Sequence, residues 1–325
     1  MPLIEVNGDN SKRKYWKHVR RKIMYDIIII GAGPAGLTAA IYARRASKKV
    51  LVLEAKTYGG QIINTLDIEN YPAAAHISGF DFATNLYNQA KELGAEIVFE
   101  KVIEIKNNDL EKEVHTSKNI YKSKALIIAT GSDNRKLGLD NEDALIGKGI
   151  SYCATCDGAF YKKKDVAVVG GGNTALEDAL YLSDIVNKVY LIHRRDEFRG
   201  EESTIKKLQE KTNVEFIYNS NVTKLNANEK LESIDVTNKD GNKKTLEVAG
   251  LFIAIGRIPE NENFKELINT DESGYIKAGE DCKTNIEGIF VAGDNRTKEV
   301  RQLVTATSDG AISATAAIKY INTLK

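Results

Sequence analysis

The sequence predicts an α/β protein built from two similar units, with the second unit inserted into the first. One observation is an internal repeat, in which a short β-branched strand, a glycine-rich turn, a helical stretch and a second strand occur twice in the same order. Another is that both copies have the same length, since 23 positions separate Gly31 from Glu54 and 23 separate Gly170 from His193. A third is the apolar run at residues 289–294, which follows the second unit and is expected to return to the first.

Length and composition limit the class of protein. The 325 residues suffice for about two domains. Lys and Arg number 46 and Asp and Glu 45, so the net charge of +1 gives no general attraction to nucleic acid or to an anionic membrane. No apolar stretch approaches the roughly 18 residues that span a bilayer, and three cysteines are too few for a secreted disulfide framework. These features predict a soluble protein of the cytoplasm without nucleic-acid or membrane partners.

Residues 1–23 form a basic extension that carries seven Lys and Arg. The segment lacks the apolar region of a secretory signal, so export is not expected. We interpret it as a solvated extension or an upstream start, with Met24 beginning the folded domain. A nucleic-acid-binding arm is the less favoured alternative.

The first unit begins with a strand at residues 27–30 that leads directly into the glycine turn at 31–36. In a Rossmann-like fold, such a turn lets the backbone approach a pyrophosphate at a helix N-terminus. Glu54 ends the following strand, where a carboxylate accepts hydrogen bonds from an adenosine ribose. The unit therefore suits FAD or NAD, and the alternative is a glycine turn without a ligand.

The second unit repeats the strand at residues 166–169 and the turn at 170–175, but its second strand ends differently. His193 replaces the carboxylate, and Arg194, Arg195 and Arg199 follow it. Planar guanidinium groups match a phosphate dianion, so this site is expected to prefer a 2′-phosphate and hence NADPH over NADH. The alternative is that these arginines form only a solvated basic face.

Two later apolar runs, at residues 126–131 and 251–256, are expected to be the strands at which the chain crosses between the units. The sequence thus predicts a discontinuous first domain at 24–135 and 262–325. The inserted second domain spans 136–261. Both are expected to be three-layer, Rossmann-like dinucleotide-binding domains.

Cys153 and Cys156 lie between the two glycine turns, at a spacing that allows a small disulfide ring. Alternatives are half of a zinc site, for which no second ligand pair is recognisable, and a buried inert pair. Asp157 is positioned either to carry protons for the thiols or to cap the next helix. A disulfide accepts a hydride poorly, so a flavin between NADPH and the disulfide would complete an electron relay to an external disulfide. No resident metal is expected.

Together these motifs resemble the low-molecular-weight thioredoxin reductases, of the FAD- and NADPH-dependent pyridine nucleotide-disulfide oxidoreductases. The likeness runs from about residue 25 to the C-terminus and includes the segments 59–61, 69–72, 129–131, 153–158, 193–195 and 293–294. It implies FAD in the first domain, NADPH in the second, a homodimer, and thioredoxin or a similar protein as partner.

The resemblance also implies individual roles. Cys156 would lie against the flavin, Cys153 would attack the thioredoxin disulfide, and Asp157 would exchange protons. For FAD it implies contacts from Gly31, Gly33, Pro34, Ala35, Gly36, Glu54, Gly60, Gln61, Asn70, Thr130, Gly131, Gly293, Asp294, Arg301 and Gln302. The NADPH set comprises Gly170, Gly172, Asn173, Thr174, His193, Arg194, Arg195 and Arg199.

The family mechanism requires the second domain to rotate against the first, with hinges expected after Gly131 and Gly256. Ala159 departs from the bulkier aromatic of some relatives near the docking site, and Cys282 matches no catalytic position. Two other functions remain alternatives: a ferredoxin-fed flavin-dependent reductase, and a non-catalytic redox sensor. The arginines after His193 argue against ferredoxin as the electron donor.

Overall fold

The computed structural model describes residues 24–65, 67–74 and 76–324, so the predicted basic extension lies outside the described residues. The first unit, together with the strand that leads back to it from the second unit, contains nine strands and three helices within this part of the chain. They are β1 (Met24–Ile30), α1 (Pro34–Arg45), β2 (Val50–Glu54), α2 (Gly79–Glu92), β3 (Glu96–Phe99), β4 (Val102–Asn108), β5 (Glu111–Thr116), β6 (Ile120–Ile128), β7 (Ser132–Asn134), and, after the second unit, β16 (Arg257–Pro259), β17 (Ile289–Val291) and α6 (Leu303–Thr323). A 3-10 helix, Gly60–Asn64, follows β2.

The sheet of the first unit has β1 at its centre, between β2 and β6 and parallel to both. β3 extends the sheet beyond β2, and β17 pairs in parallel with the second half of β6. β4 and β5 add an antiparallel hairpin to the first half of β6. The run at residues 289–294 thus contributes a strand to the first sheet after the chain has passed through the second unit.

The isoleucines of β1 explain why this strand is central. Ile27 and Ile29 pack into the core on the side of α1 and α6, while Ile28 and Ile30 pack into a second core on the opposite face. Both faces of a parallel sheet are covered, so a continuous apolar run is required rather than an alternating one.

The second unit contains three helices and a five-stranded parallel sheet in the order β11-β10-β9-β15-β8. Its elements are β8 (Ile150–Ser151), α3 (Ala154–Asp157), β9 (Asp165–Gly170), α4 (Asn173–Ser183), β10 (Lys188–Ile192), α5 (Glu202–Gln209), β11 (Val214–Ile217), β12 (Ser220–Ala227), β13 (Leu231–Asn238), β14 (Lys243–Glu247) and β15 (Gly250–Ala254). Strands β12, β13 and β14 form a separate antiparallel sheet whose side chains share a core with one face of the parallel sheet.

The two connections between the units run side by side as a small antiparallel ribbon. β7 leads out of the first unit and β16 leads back into it, with Arg257 paired to Asn134 and Pro259 to Ser132. No described helix combines the length and apolar character needed to cross a membrane. β7 and β16 are thus the two strands through which the chain leaves the first unit and returns to it.

Candidate active site

The first glycine turn lies where β1 meets α1. Gly31 has a φ of +108°, and a Cβ at this position would lie 2.2 Å from the carbonyl oxygen of Ala129. Only glycine fits this backbone. α1 begins at Pro34, and Gly33 before it has no side chain to cap the helix, so the first amides of α1 remain available to an anion. Gly60 approaches from the next loop, since a Cβ on Gly33 would lie 3.9 Å from its Cα.

Glu54 is held at the end of β2 beside this turn. Its Oε2 accepts a hydrogen bond from the amide of Ala32 at 2.8 Å, and its Oε1 accepts one from the amide of Lys56 at 2.8 Å. Two amide donors therefore fix the carboxylate in the place that the sequence predicts for a ribose contact. Each carboxylate oxygen can accept a further hydrogen bond, which leaves capacity for ribose hydroxyls.

Asp294 supplies the second carboxylate of the first site. Its Oδ1 is buried without a hydrogen-bond partner among the described residues, while its Oδ2 lies 3.3 Å from a guanidinium nitrogen of Arg257. Burial raises the pKa of Asp294 above its usual value. Buried acceptors are almost always satisfied, so this oxygen fits a donor from a bound ligand, such as a hydroxyl of FAD. We find the donor set compatible with that cofactor.

The turn that carries Asp294 is fixed by Asp309 of α6, which the sequence analysis missed. The Oδ2 of Asp309 accepts from the amide of Gly293 at 2.9 Å, and its two oxygens accept from Arg296 at 2.8 Å each. Lys298 donates to the same carboxylate at 2.9 Å. All of these contacts span 11 residues or more along the chain, so no local pattern could have revealed them.

The remaining predicted FAD residues lie around the same end of the sheet. The side chain of Gln61 donates to Asp133 at 2.5 Å, and the Arg301 guanidinium lies 4.2 Å from the centre of the Tyr275 ring. The hydroxyl of Thr130 donates to Asn261 at 3.3 Å. A Cβ on Gly131 would meet open space. Pro34, Ala35 and Gly36 form the first turn of α1, where Ala35 and Gly36 are buried.

The second glycine turn joins β9 to α4. A Cβ on Gly170 would lie 2.4 Å from the carbonyl oxygen of Ala254, whereas a Cβ on Gly172 would have no atom within 4 Å. The space beside Gly172 is thus open at the start of α4. Asn173 turns its Oδ1 to the amide of Glu201 at 2.8 Å, and Thr174 is exposed on the first turn.

His193 occupies the position equivalent to Glu54 but is buried. Its ring packs against Gly171, where a Cβ would lie 2.0 Å from it, and stacks on Phe198 at 5.2 Å between ring centres. The ring also makes a hydrogen bond to the carbonyl of Glu197 at 3.0 Å. Burial lowers the pKa of His193, so the ring is neutral at pH 7. It therefore supports the turn from beneath.

The three arginines after His193 are exposed at the same strand end. Within the described part of the chain, Arg194, Arg195 and Arg199 form no ion pair with a carboxylate. The amide of Arg199 donates to the carbonyl of Gly171 at 2.7 Å, which ties this residue to the glycine turn. Free guanidinium groups beside an anion-binding turn suit a phosphate dianion.

Cys153 and Cys156 form a disulfide, as their spacing predicts. Cys153 is the N-cap of α3, and both cysteines are partly exposed, so the buried, inert alternative does not apply. Zinc binds thiolates rather than a bonded pair of sulfurs, which removes the zinc alternative for this form.

The disulfide lies where the two units meet. Gln302, at the start of α6, places its Nε2 3.9 Å from the Sγ of Cys153 and 3.3 Å from the Oγ1 of Thr155. Asn70 donates to the Oε1 of Gln302 at 3.2 Å. A cavity of about 310 Å³ adjoins these three polar side chains and is otherwise lined by Val300, Leu303 and Val304. The side chains of Gln302 and Asn70 thus link the cysteine motif to the first unit.

Asp157 does not cap the helix that follows it, because no side-chain hydrogen bond caps the 3-10 helix Gly158–Tyr161. Its Oδ2 accepts instead from the hydroxyl of Ser151 at 2.6 Å. Burial raises the pKa of Asp157, and the hydrogen bond from Ser151 partly offsets that rise. A carboxyl group with a raised pKa beside two cysteines suits proton exchange with thiols.

Comparison with known proteins places this geometry in a family. A model of the pyridine nucleotide-disulphide oxidoreductases matches residues 25–310. Thioredoxin reductases of Listeria innocua and Bacillus subtilis are 42% and 40% identical to the chain over 304 residues, which cover 93% of it and 95% and 96% of theirs. The chain belongs to the thioredoxin reductase family. Membership implies a flavin and a nicotinamide cofactor.

Solved thioredoxin reductases confirm the predicted fold class. The Streptococcus pyogenes enzyme matches with a TM-score of 0.89 at 39% identity, covering 93% of this chain and all of that one. The Lactococcus lactis enzyme, described as the FR conformation, matches with a TM-score of 0.65 at 38% identity, covering 92% of this chain and all of that one. The two scores differ although identity and coverage are nearly equal.

Proposed function

We propose that this protein is an NADPH-dependent flavoprotein disulfide reductase that reduces thioredoxin or a similar small dithiol protein. The observation that carries the proposal is the position of the Cys153–Cys156 disulfide at the junction of the two units. Each unit has a parallel sheet in which a central strand leads into a glycine turn. Membership in the thioredoxin reductase family supports the same reaction and the same class of substrate.

The residues of the first unit suit FAD. The first amides of α1 would bind its pyrophosphate, Glu54 its adenosine ribose, and Asp294 a hydroxyl through the oxygen that lacks a partner. When bound, a flavin accepts a hydride from a reduced nicotinamide and passes two electrons to a disulfide. The turn at Gly172 would bind the pyrophosphate of NADPH, and the three exposed arginines its 2′-phosphate.

The chemistry at sulfur balances as one two-electron reduction and one exchange. NADPH and a proton become NADP⁺ while the S–S bond between Cys153 and Cys156 breaks and gives two thiols. A thiolate then attacks the substrate disulfide, forms a mixed disulfide and displaces one substrate thiolate. The second protein thiol attacks the mixed disulfide, restores the Cys153–Cys156 bond and releases the substrate as a dithiol. Asp157 takes a proton from the attacking thiol and returns it to the leaving thiolate.

The proposed domains are residues 24–135 with 262–325, and residues 136–261. We propose that the second domain turns against the first about the connections after Gly131 and Gly256, so that Cys153 and Cys156, once reduced to thiols, leave Gln302 and become accessible to the substrate. The narrow β7–β16 ribbon supports this motion, as does the difference in TM-score between the two solved relatives. Homodimer formation is part of the proposal and is checked by light scattering of the purified protein. A cytoplasmic location agrees with the need for NADPH.

The test is steady-state reduction of a thioredoxin with catalytic amounts of the FAD-loaded protein, with NADPH, NADH or reduced ferredoxin as electron donor. We expect many turnovers with NADPH, far fewer with NADH and none with ferredoxin. Turnover only with ferredoxin would favour the ferredoxin-fed alternative. A single reduction of the Cys153–Cys156 disulfide without turnover of thioredoxin would favour the redox sensor.

The separate roles of the two sulfurs stay a prediction, and single variants test them. With a thioredoxin whose resolving cysteine is replaced and whose remaining cysteine carries thionitrobenzoate in a mixed disulfide, the Cys153 thiol of Cys156→Ser should displace thionitrobenzoate and trap thioredoxin in a mixed disulfide, detected by mass spectrometry. Cys153→Ser is expected to trap none and still to allow flavin reduction by NADPH. Trapping through Cys156 in the Cys153→Ser variant would reverse the assignment of the attacking thiol.

A further inference from the structure

Ser151 is a buried residue next to the Cys153–Cys156 pair, and the reaction described above gives it no role. It ends β8, two residues before Cys153, and only 3% of its surface is exposed. Its Oγ accepts from the amide of Cys153 at 3.1 Å, which fixes the hydroxyl oxygen relative to the first cysteine. The same Oγ lies 2.6 Å from the Oδ2 of Asp157. Ser151 therefore touches both the backbone of the disulfide motif and the carboxyl group that exchanges protons.

The hydroxyl of Ser151 has two acceptors within reach for its single proton. One is the Oδ2 of Asp157 at 2.6 Å, and the other is the carbonyl oxygen of Cys153 at 3.3 Å. A serine hydroxyl has one proton to donate and two lone pairs that accept. One lone pair is used by the amide of Cys153, so the second is available to a proton on Asp157.

We propose that Ser151 is a positioning residue that gives Asp157 a hydrogen-bond partner in both of its protonation states. When Asp157 is ionised, the serine proton points to Oδ2. When Asp157 is protonated at Oδ2, the acid proton points to the Oγ of Ser151, and the serine proton turns to the carbonyl of Cys153. Only hydrogen atoms change place between the two states, and no bond between heavy atoms is made or broken.

The surroundings of Asp157 make this arrangement necessary. Within the described residues, no Lys, Arg or His forms an ion pair with Asp157. Tyr161 of the following 3-10 helix is the titratable side chain that faces it, since burial and, to a smaller extent, the Asp157 carboxylate raise the pKa of Tyr161 to about 12. From α4, Tyr181 and Leu182 lie against Gly158 beside it. Without Ser151, the buried carboxyl group of Asp157 would lack this hydrogen bond in both of its protonation states.

The pH profile of thioredoxin reduction tests the inference, which rests on the proposed function because it concerns proton exchange by Asp157. Loss of the serine donor destabilises the carboxylate, so Ser151→Ala is expected to raise the pKa of Asp157. The limb of the profile that disappears in Asp157→Asn should therefore move to higher pH. The maximal rate should fall about tenfold, the loss expected from one hydrogen bond to a charged group.

Matched variants separate the hydroxyl from packing. Thr and Val at this position have nearly the same shape and differ in the hydroxyl group, so Ser151→Thr should restore the wild-type profile and Ser151→Val should behave like Ser151→Ala. Ser151→Ala should have no further effect in the Asp157→Asn background, because the two residues act through one proton. Ser313→Ala, which removes a buried hydroxyl bonded to the carbonyl of Gly310 in α6, is the control and should leave the profile unchanged.

A second measurement does not depend on activity. Infrared difference titration of the protein detects a protonated carboxyl band, which is assigned to Asp157 by its absence in Asp157→Asn. In Ser151→Ala this band should persist to higher pH than in the wild-type protein. An unshifted band and an unshifted profile would overturn the inference, as would equal behaviour of the Thr and Val variants. If thioredoxin is not reduced at all, the proposed function fails, while the infrared titration still decides the role of Ser151.

Discussion

The two glycine turns have the same backbone plan and opposite charge at the end of the next strand. In the first unit, Glu54 presents a carboxylate that the amide of Ala32 holds beside the turn. In the second, His193 withdraws into the core beneath Gly171, and the arginines after it remain exposed. The backbone scaffold is thus the same, and in the proposed function the side chains at and after the end of this strand select the form of the ribose that each unit accepts.

The two sites also differ in what they lack. The first contains a buried acceptor without a donor, the Oδ1 of Asp294, which suits a ligand rich in hydroxyl groups. The second contains exposed donors without an acceptor, since Arg194, Arg195 and Arg199 have no carboxylate partner in the residues that the structure describes. The unpaired acceptor of the first site and the unpaired donors of the second thus suit different ligands. The repeated fold alone could not indicate this difference.

The largest effect is expected from Gly31, the glycine that starts the first turn. Gly31→Ala should lower the free energy of unfolding by about 3 kcal/mol or more, because the residue has a positive φ and its Cβ would collide with the Ala129 carbonyl. Thermal unfolding and flavin content measure the effect. Gly172→Ala is the matched control, since its Cβ meets open space. The Gly172→Ala variant should unfold like the wild-type protein, and the binding of NADPH should be weakened while that of FAD is unchanged.

The arginine cluster should give the next largest effect. Replacing Arg194, Arg195 and Arg199 together by Ala should lower kcat/KM for NADPH about 10² to 10³-fold, as two or three charge-assisted hydrogen bonds are lost. The value for NADH should change little, so discrimination between the nucleotides disappears. Lys206→Ala, which removes an exposed cation of α5, is the control. An equal loss for both nucleotides would mean that the cluster does not contact the 2′-phosphate.

A smaller effect is expected at Glu54. Glu54→Ala should weaken FAD binding about tenfold, because the ribose contact and the hydrogen bond from Ala32 are lost together. Titration of the apoprotein with FAD, followed by flavin fluorescence, measures the dissociation constant. The dissociation constant for NADP⁺ should stay the same. A change confined to the NADP⁺ site would contradict the assignment of the two units.

The smallest effect should come from the contact between the units. Thr155→Val and Gln302→Ala each remove the hydrogen bond between these side chains, and each should speed amide exchange around residues 153–160 about threefold to tenfold. Hydrogen exchange with mass spectrometry measures the change. The double variant should exchange no faster than the faster single variant. Additive effects would show that Gln302 does not act through Thr155.

Local sequence patterns account for the elements that were predicted correctly. The β-branched runs at 27–30 and 166–169 form central strands because parallel strands buried on both faces require continuous apolar residues. Glycine at fixed intervals marks the turns, and the position of Glu54 follows from the length of the repeat. The Cys153–Cys156 disulfide follows from the spacing of the two cysteines, since a separation of three positions allows a small disulfide ring.

Contacts between distant segments could not be predicted in the same way. Asp309 reaches Gly293 across 16 positions, and the side chain of Gln302 reaches Thr155 across 147. The burial of His193 depends on the ring of Phe198, which stacks on the imidazole. Ser151 is different, because a serine two residues before Cys153 is a local signal for a bond to the Cys153 amide. Its contact with Asp157 required the fold.

A count of thiols after anaerobic reduction decides whether electrons from NADPH reach the disulfide. The FAD-loaded protein is incubated with slightly more than two equivalents of NADPH or of NADH, because the flavin and the disulfide each take two electrons. It is then alkylated and analysed by mass spectrometry. With NADPH, Cys153 and Cys156 should both be alkylated, and Cys282, which is fully buried, should remain unmodified in the folded protein. With NADH at the same concentration, both should remain in the disulfide. A disulfide that NADPH leaves intact would contradict the proposed relay.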